Sequence, residues 1–254
     1  MVDLHCHILP GIDDGPSDVS EFLEMASAAT ETGITHIYAT PHHLNGQYEN
    51  NKIEIIQSVS RANYLLHLKC IPLFIHPGQE LRIHQGLIDS IENNEVLTLD
   101  NKGTHLLLEL PAGEFPSYTF DVIYELLLRR ITPIIVHPER NKAIIENPKY
   151  LYDLVKEGAM TQVTSGSILG IFGKRIKSFS EKMIVHQLAH FIATDAHNSH
   201  LRGFSLKHVF NCITAKYGEE TTFYFKNNAQ MLMLGHNIHV QKPIHFRRRF
   251  MGVF

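Results

Sequence analysis

Apolar runs of β character alternate along the chain with stretches of helical periodicity, and most of the runs give way to a polar segment rich in histidine or carboxylate. Strand patterns alternating with helical ones predict a parallel α/β fold. Val2 to Cys6 is the first strand. Asp18 with Glu21 then forms a capping box, and Val19, Phe22, Leu23, Ala26 and Ala29 keep one face of the next helix apolar up to a stop at Gly33. Thr35 to Thr40 reads as strand two, residues 51 to 69 as a helix with Ile53, Ile56, Val59 and Leu66 inward, and Pro72 to His76 as strand three. A short helix lies near 85 to 94. Strand four is Thr104 to Leu110, helix 119 to 130 follows, and strand five is Ile131 to Val136. Asn147 as cap, Pro148 at the first helical position and Gly158 past the end bracket a further helix. Strand six (Met160 to Val163), a long helical region from about 168 to 188 and strand seven (His190 to Thr194) come next. Helices at about 203 to 217 and 226 to 234 complete the pattern.

The 254 residues make a single domain on this reading, since barrels of alternating strands and helices run to about 250 residues. Composition is that of an ordinary soluble protein, 44% hydrophobic and 19% charged. No apolar run approaches the roughly 18 residues that a membrane span needs. No basic segment followed by an apolar one opens the chain, so no secretory leader is expected. Three scattered cysteines, Cys6, Cys70 and Cys212, suit free thiols in a reducing compartment, which points to the cytoplasm. A net charge of -3 gives no electrostatic reason to expect a nucleic-acid partner. Residues 243–254 form a basic-aromatic tail. Such a tail can touch an acidic membrane surface or a phosphorylated partner, but a flexible or surface-packed terminus is the commoner arrangement and the one expected here. The pattern carries no signal for an oligomeric state.

Eighteen histidines are the unusual count. On a first strand, His5 and His7 project from the same face, because side chains alternate with period two, while Cys6 faces the layer behind. Two converging imidazoles make a candidate metal site. His5, His7, His42, Glu80, Glu109, His137, Asp195 and His197 all sit where an apolar strand gives way to its loop, and the carboxyl ends of parallel strands share one face. Glu109 ends a leucine-rich run, a costly place for a carboxylate unless it is paired or metal-bound. A metal cation would offset the cost of burying so many histidines together. Asp14, which could simply cap a turn, and His43, a neighbour of His42, are the weaker members of the set.

Several segments carry a resemblance. They are Asp3-x-His5-Cys6-His7-Ile8-Leu9-Pro10 with Asp13-Asp14-Gly15, Ala39-Thr40-Pro41-His42-His43, Pro77-Gly78-Gln79-Glu80, His137-Pro138-Glu139-Arg140-Asn141, Gln162-x-Thr164-Ser165-Gly166-Ser167 with Gly170-x-Phe172-Gly173, and Asp195-Ala196-His197-Asn198. Together the set resembles the bacterial tyrosine-protein phosphatases of capsule and exopolysaccharide gene clusters, a branch of the PHP (polymerase and histidinol phosphatase) superfamily. The resemblance spans the whole chain and implies a distorted, TIM-like barrel of seven β/α units.

It also implies three divalent metal ions. His5, His7, Glu80 and Asp195 would hold the first. Glu80 would bridge to a second, held also by Glu109 and His137. Asp14, His42 and His197 would hold the third. Imidazole and carboxylate donors without thiolate suit manganese, iron or zinc, and the family favours manganese. The implied reaction is hydrolysis of phosphotyrosine by a metal-bridging hydroxide, since bound metal lowers the pKa of water to about 7. A guanidinium forks onto phosphate oxygens, and the resemblance assigns Arg140 and Arg202 to phosphate binding and transition-state charge stabilisation. Lys174 and Arg175 are further candidates for a positive mouth. An active-site water, His43 and Asp195 all remain open as the acid for the leaving group. A cysteine mechanism is excluded by spacing: the arginine it requires six residues after the nucleophile is replaced by Ile12, His76 and Gly218 after the three cysteines. The implied partner is a phosphotyrosine-bearing protein, the membrane-associated tyrosine kinase of a polysaccharide export system. The competing readings are a small-molecule phosphatase of the histidinol-phosphate type and a non-catalytic kinase-binding regulator. The intact ligand set and the two arginines weigh against the regulator.

Overall fold

In the computed structural model, which describes residues 1–246, each of the seven expected strands is present, and two further short strands, not expected from the sequence, follow the second and the third. Residues 247–254 of the basic-aromatic tail lie outside the described residues. The chain begins with β1 (Val2–Cys6), α1 (Val19–Glu31), β2 (His36–Ala39), β3 (His42–His43) and α2 (Lys52–Leu68). It continues through β4 (Phe74–Pro77), β5 (Glu80–Arg82), α3 (Leu87–Glu92), β6 (His105–Glu109), α4 (Thr119–Leu128) and β7 (Thr132–Val136). Then come α5 (Lys142–Glu146), α6 (Lys149–Glu157), β8 (Met160–Thr164), α7 (Ser165–Leu169), α8 (Lys174–Val185), β9 (Phe191–Ala193), α9 (Leu206–Tyr217) and α10 (Glu219–Leu234).

Every strand pair is parallel, as the alternation of strands and helices requires. The strands form two sheets, one in the order β1-β2-β4 and the other in the order β3-β5-β6-β7-β8-β9. The split follows proline. Pro41 brings no N–H to a ladder, so the chain leaves the first sheet after β2 and resumes as β3 in the second. Pro77-Gly78 does the same between β4 and β5. At the far edge the sheets meet again, where Asp195 N donates to His5 O at 2.9 Å and His7 N to Ala196 O at 2.8 Å.

One face of the strands buries Leu4, Tyr38, Leu107, Ile134, Val136 and Phe191 together with Ala229 and Leu232 of α10. The other face packs under the helices, where Cys6, Ile37, Leu108 and Ile135 share a layer with Phe22, Met25, Leu66 and Leu126. Cys6 therefore points away from its histidine neighbours, as expected. Among the described residues no helix is long and apolar enough to cross a membrane.

The helix starts and stops show where sequence patterns were read well and where not. Asp18 caps α1 by accepting from Ser20 N at 2.8 Å and Glu21 N at 3.0 Å, although Glu21 turns back to Ser17 N rather than to the cap residue itself. In α2 the buried stripe is Ile55, Val59, Ala62 and Leu66, spaced four, three and four, so Ile53 in the first turn lies off it and is exposed. Asn147 does not cap α6: Pro148 takes the cap position, and an additional short helix, α5, precedes it, capped by Asn141 Oδ1 on Ile144 N at 2.9 Å. The helical region expected over 168 to 188 is two helices, broken where Gly170 (φ 89°) and Gly173 (φ 94°) adopt a conformation that side chains disfavour. Helix α10 starts at Glu219 rather than near 226, with two glutamates in its first turn favouring the positive helix end. Of the tail, Ile244 N donates to His186 O at 2.8 Å and the Phe246 ring stacks on His186 at 4.6 Å. Its first residues are thus packed against the end of α8.

Candidate metal centre

The alternation of β1 brings His5 and His7 together with their Nε2 atoms 3.2 Å apart. Each ring is aimed through its other nitrogen: His5 Nδ1 contacts Gln162 Oε1 at 3.0 Å, and His7 Nδ1 contacts Asp13 Oδ2 at 2.6 Å. An oxygen partner at Nδ1 keeps a proton there and leaves Nε2 free to bind. Two facing Nε2 lone pairs need a positive charge between them, a proton or a metal ion. The electrostatics agree: burial alone would lower both pKa values, but Glu80 and Asp195 at His5, and Asp13 and Glu80 at His7, outweigh it and raise them.

Glu80, the first residue of β5, stands at the centre. Its Oε1 contacts His137 Nε2 at 2.8 Å. Its Oε2 lies 2.8 Å from His42 Nδ1, 3.3 Å from His7 Nε2 and 3.4 Å from His5 Nε2. None of these is aligned as a hydrogen bond to Oε2, so Glu80 Oε2, His42 Nδ1 and also His197 Nε2 are buried without a hydrogen-bond partner. Orphaned donor atoms converging on one point are the mark of a site built for something else.

The turns after the strands complete the cluster. His137 (φ 36°) and Asp195 (φ 53°) both take left-handed backbone conformations where β7 and β9 end, strain that suits a functional turn. Asp195 Oδ1 lies 3.5 Å from His7 Nε2, 3.6 Å from His5 Nε2 and 3.5 Å from His197 Nδ1. Exposed Asp14 places Oδ1 3.3 Å from His197 Nε2 and 3.5 Å from His42 Nε2. Glu109 accepts from Arg82 Nε at 2.9 Å, and burial together with the charge of Glu80 pushes its pKa up to about 7. Burial, reinforced by Arg140, brings His137 down to about 4. Three overlapping groups have ligand atoms within 4.8 Å of one another: His5, His7 and Glu80; His42, Glu80 and Glu109; and His7, Asp14, His42 and His197. Compared with the expected sets, Asp195 and His137 fall in none of the three groups, His137 contacting Glu80 at 2.8 Å, while His42 joins the middle group and His7 belongs to two. Oxygen and imidazole donors, several of them orphaned, fit divalent cations.

Two guanidiniums flank the cluster at Asp195. Arg140 Nη1 is 2.5 Å from Asp195 Oδ2, and its guanidinium lies over the Phe172 ring at 5.3 Å. Arg202 Nη2 is 3.3 Å from both Asp195 oxygens. Burial would raise the Asp195 pKa, but Arg140 and the surrounding histidines hold it below the usual carboxylate range. His43 is not brought into the cluster. Its neighbour His42 pairs with Glu80 and His43 with Leu81, so the two rings face opposite sides, and the titratable groups nearest His43 are Glu49, His84 and Glu95. Arg175 faces Glu146 at 3.9 Å rather than the cluster.

Asp13, Gln162 and Arg82 are site residues that the sequence reading left without a role. Asp13 stands beside Asp14 in the quoted motif, and Arg82 lies two residues after Glu80, on the same strand face. Either spacing was a usable signal.

A family model for capsular polysaccharide synthesis proteins, CpsB/CapC, matches residues 1–233. The tyrosine-protein phosphatase YwqE of Bacillus subtilis is 41% identical over 249 residues, covering 98% of each chain. CapC of Staphylococcus aureus is 42% identical over 233 residues, 91% of each chain. A crystal structure from work on YwqE of Bacillus subtilis and CpsB of Streptococcus pneumoniae, described as unique metal-dependent tyrosine phosphatases, superposes with a TM-score of 0.94 at 40% identity. It covers 98% of this chain and 100% of that one.

Proposed function

The chain belongs to the CpsB/CapC family of capsular polysaccharide synthesis, and from that membership and the geometry of the site we infer that it is a metal-dependent tyrosine-protein phosphatase. The observation that carries the reading is the convergence of orphaned imidazole and carboxylate atoms on Glu80, with two guanidiniums at the rim.

Three divalent ions are proposed, manganese favoured. His5, His7, Glu80 and Asp195 would hold one. Glu80, Glu109 and His137, with His42, would hold the second. Asp14, His42 and His197, with His7, would hold the third. Bound there, divalent ions supply Lewis acidity, which makes a water nucleophilic near neutral pH and draws charge from phosphate oxygens. The chain's own residues do the rest. Gln162 and Asp13 fix the rings of His5 and His7 so that each offers Nε2. Arg140 and Arg202 present forked donors to the phosphate and stabilise the charge that builds on it. With His43 on the far side of its strand and both Asp195 oxygens engaged by guanidiniums, water is the acid that protonates the leaving tyrosine oxygen. The proposed substrate is the autophosphorylated, membrane-associated tyrosine kinase of a polysaccharide export system, met in the cytoplasm.

The test is phosphate release from a phosphotyrosine peptide by manganese-loaded and chelator-stripped protein, run beside histidinol phosphate. Turnover of the peptide that disappears on stripping and returns with manganese is expected. Retained turnover in a verified metal-free sample defeats the metal reading, preference for histidinol phosphate defeats the substrate, and no turnover of either leaves a binding protein.

A further inference from the structure

Beside the metal centre, a notch is lined by Ile171, Phe172, Asp195, Leu201 and Arg202. Leu201 is 85% exposed and Ile171 58% exposed, and neither belongs to the buried cores. Both side chains leave apolar surface in water at the edge of a charged site, where a ligand's apolar part can cover it. Leu201 is also held in place. Asn198 Oδ1 accepts from His200 N at 3.0 Å and from Arg202 N at 3.1 Å, and His197 N donates to Arg202 O at 2.9 Å. The turn from Asn198 to Arg202 is therefore tied at both ends, with Leu201 at its tip. The residue after that tip is the guanidinium that reaches Asp195. On the opposite wall, Phe172 lies beneath the guanidinium of Arg140.

We propose that Leu201 and Ile171 form the wall that receives the ring of an aryl phosphate, and that they select phosphotyrosine over the alkyl phosphates of serine and threonine. This rests on the phosphatase reading above and deepens it. A phosphate held by Arg140 and Arg202 leaves its ester oxygen facing the notch. A phenyl ring on that oxygen covers both apolar side chains and removes them from water, whereas the single methylene of phosphoserine leaves them wet. Discrimination here comes from apolar area covered, with no polar contact to the ring.

The experiment compares manganese-loaded wild type, Leu201→Ala, Ile171→Ala and Leu201→Met on one peptide carrying phosphotyrosine or phosphoserine. Calorimetric binding of phenylphosphonate and methylphosphonate gives a second readout. In each alanine variant the aryl-to-alkyl ratio of kcat/KM is expected to fall about tenfold, the size of effect that a lost apolar contact gives in a specificity pocket, carried by KM rather than kcat. The phenyl-to-methyl ratio of phosphonate affinities falls with it, and Leu201→Met restores both. Ratios within twofold of wild type, or equal losses on both classes, overturn the inference while leaving the phosphatase reading intact. A wild-type enzyme that releases no phosphate from the phosphotyrosine peptide overturns both.

Discussion

Replacing Asp13 by asparagine removes a single charge and leaves the shape of the side chain unchanged. The carboxylate does three things at once: Oδ2 meets His7 Nδ1 at 2.6 Å and His42 N at 3.2 Å, while Oδ1 accepts from Gly15 N at 3.0 Å. Burial would raise its pKa, but His7 outweighs burial and the group stays ionised. An asparagine that keeps its oxygen on Gly15 N turns its NH2 group toward the proton on His7 Nδ1, setting donor against donor. Flipped, it serves His7 and abandons the turn. In the first case His7 loses its orienting partner, and in the second the side chain loses the turn that holds it against His7; disturbing such an outer partner lowers metal affinity 10- to 100-fold, about 1.4 to 2.7 kcal/mol. Competition against a chromogenic chelator, with metal counted per chain, measures this directly. Circular dichroism confirms that the variant is folded. A folded Asp13→Asn protein with wild-type affinity would refute the role given to this carboxylate.

Arg140→Lys keeps the charge but loses the fork, and kcat/KM on a phosphotyrosine peptide should fall roughly 100-fold at unchanged metal content; a loss under threefold would remove Arg140 from phosphate binding. Gly15→Ala places a methyl 2.2 Å from the His7 carbonyl oxygen and 3.1 Å from Asp13 Oδ1, so the turn must open. A destabilisation of about 2 kcal/mol in urea is expected, accompanied by weaker metal binding; an unchanged midpoint would show that the turn yields freely. His190 is fully buried, its Nδ1 accepting from Thr161 N at 3.0 Å, and burial holds its pKa down at about 4 against an ordinary 6.5. It is neutral when folded, so its contribution is full above pH 6.5 and is lost as pH falls toward 4. Between pH 8 and pH 5 the wild type should lose about 2 kcal/mol more stability than His190→Asn, whose oxygen can replace Nδ1. Parallel curves would place the acid sensitivity elsewhere.

The candidate metal centre was legible to the extent that it depends on period-two alternation and on strand ends. His5, His7, Glu80, Glu109, His137 and Asp195 all mark points where an apolar run stops, and they are found together. The same alternation, applied to His42 and His43, separates them, so the placement of His43 was within reach of the sequence. Gln162 was less accessible: it meets His5 across 157 residues, and nothing local marks that pairing. The phase of α2 was misread because Ile53 has the right chemistry at the wrong angle from the Ile55, Val59 and Leu66 stripe. The division into two sheets was signalled by Pro41 and Pro77, but the partner each resumed strand takes is a matter of tertiary packing.

That division has a consequence for the molecule as a whole. His5 and His7 hang from the three-stranded sheet, and His42, Glu80, Glu109 and His137 come from the six-stranded one. The proposed metal ligands therefore act as a clasp across a seam. A fragment ending before β5 would retain both imidazoles of β1 with Asp13 yet lack Glu80 and Asp195, the carboxylates that face their Nε2 atoms, so the protein cannot be halved there into working modules. Attempts to split it for complementation should avoid the seam between the sheets.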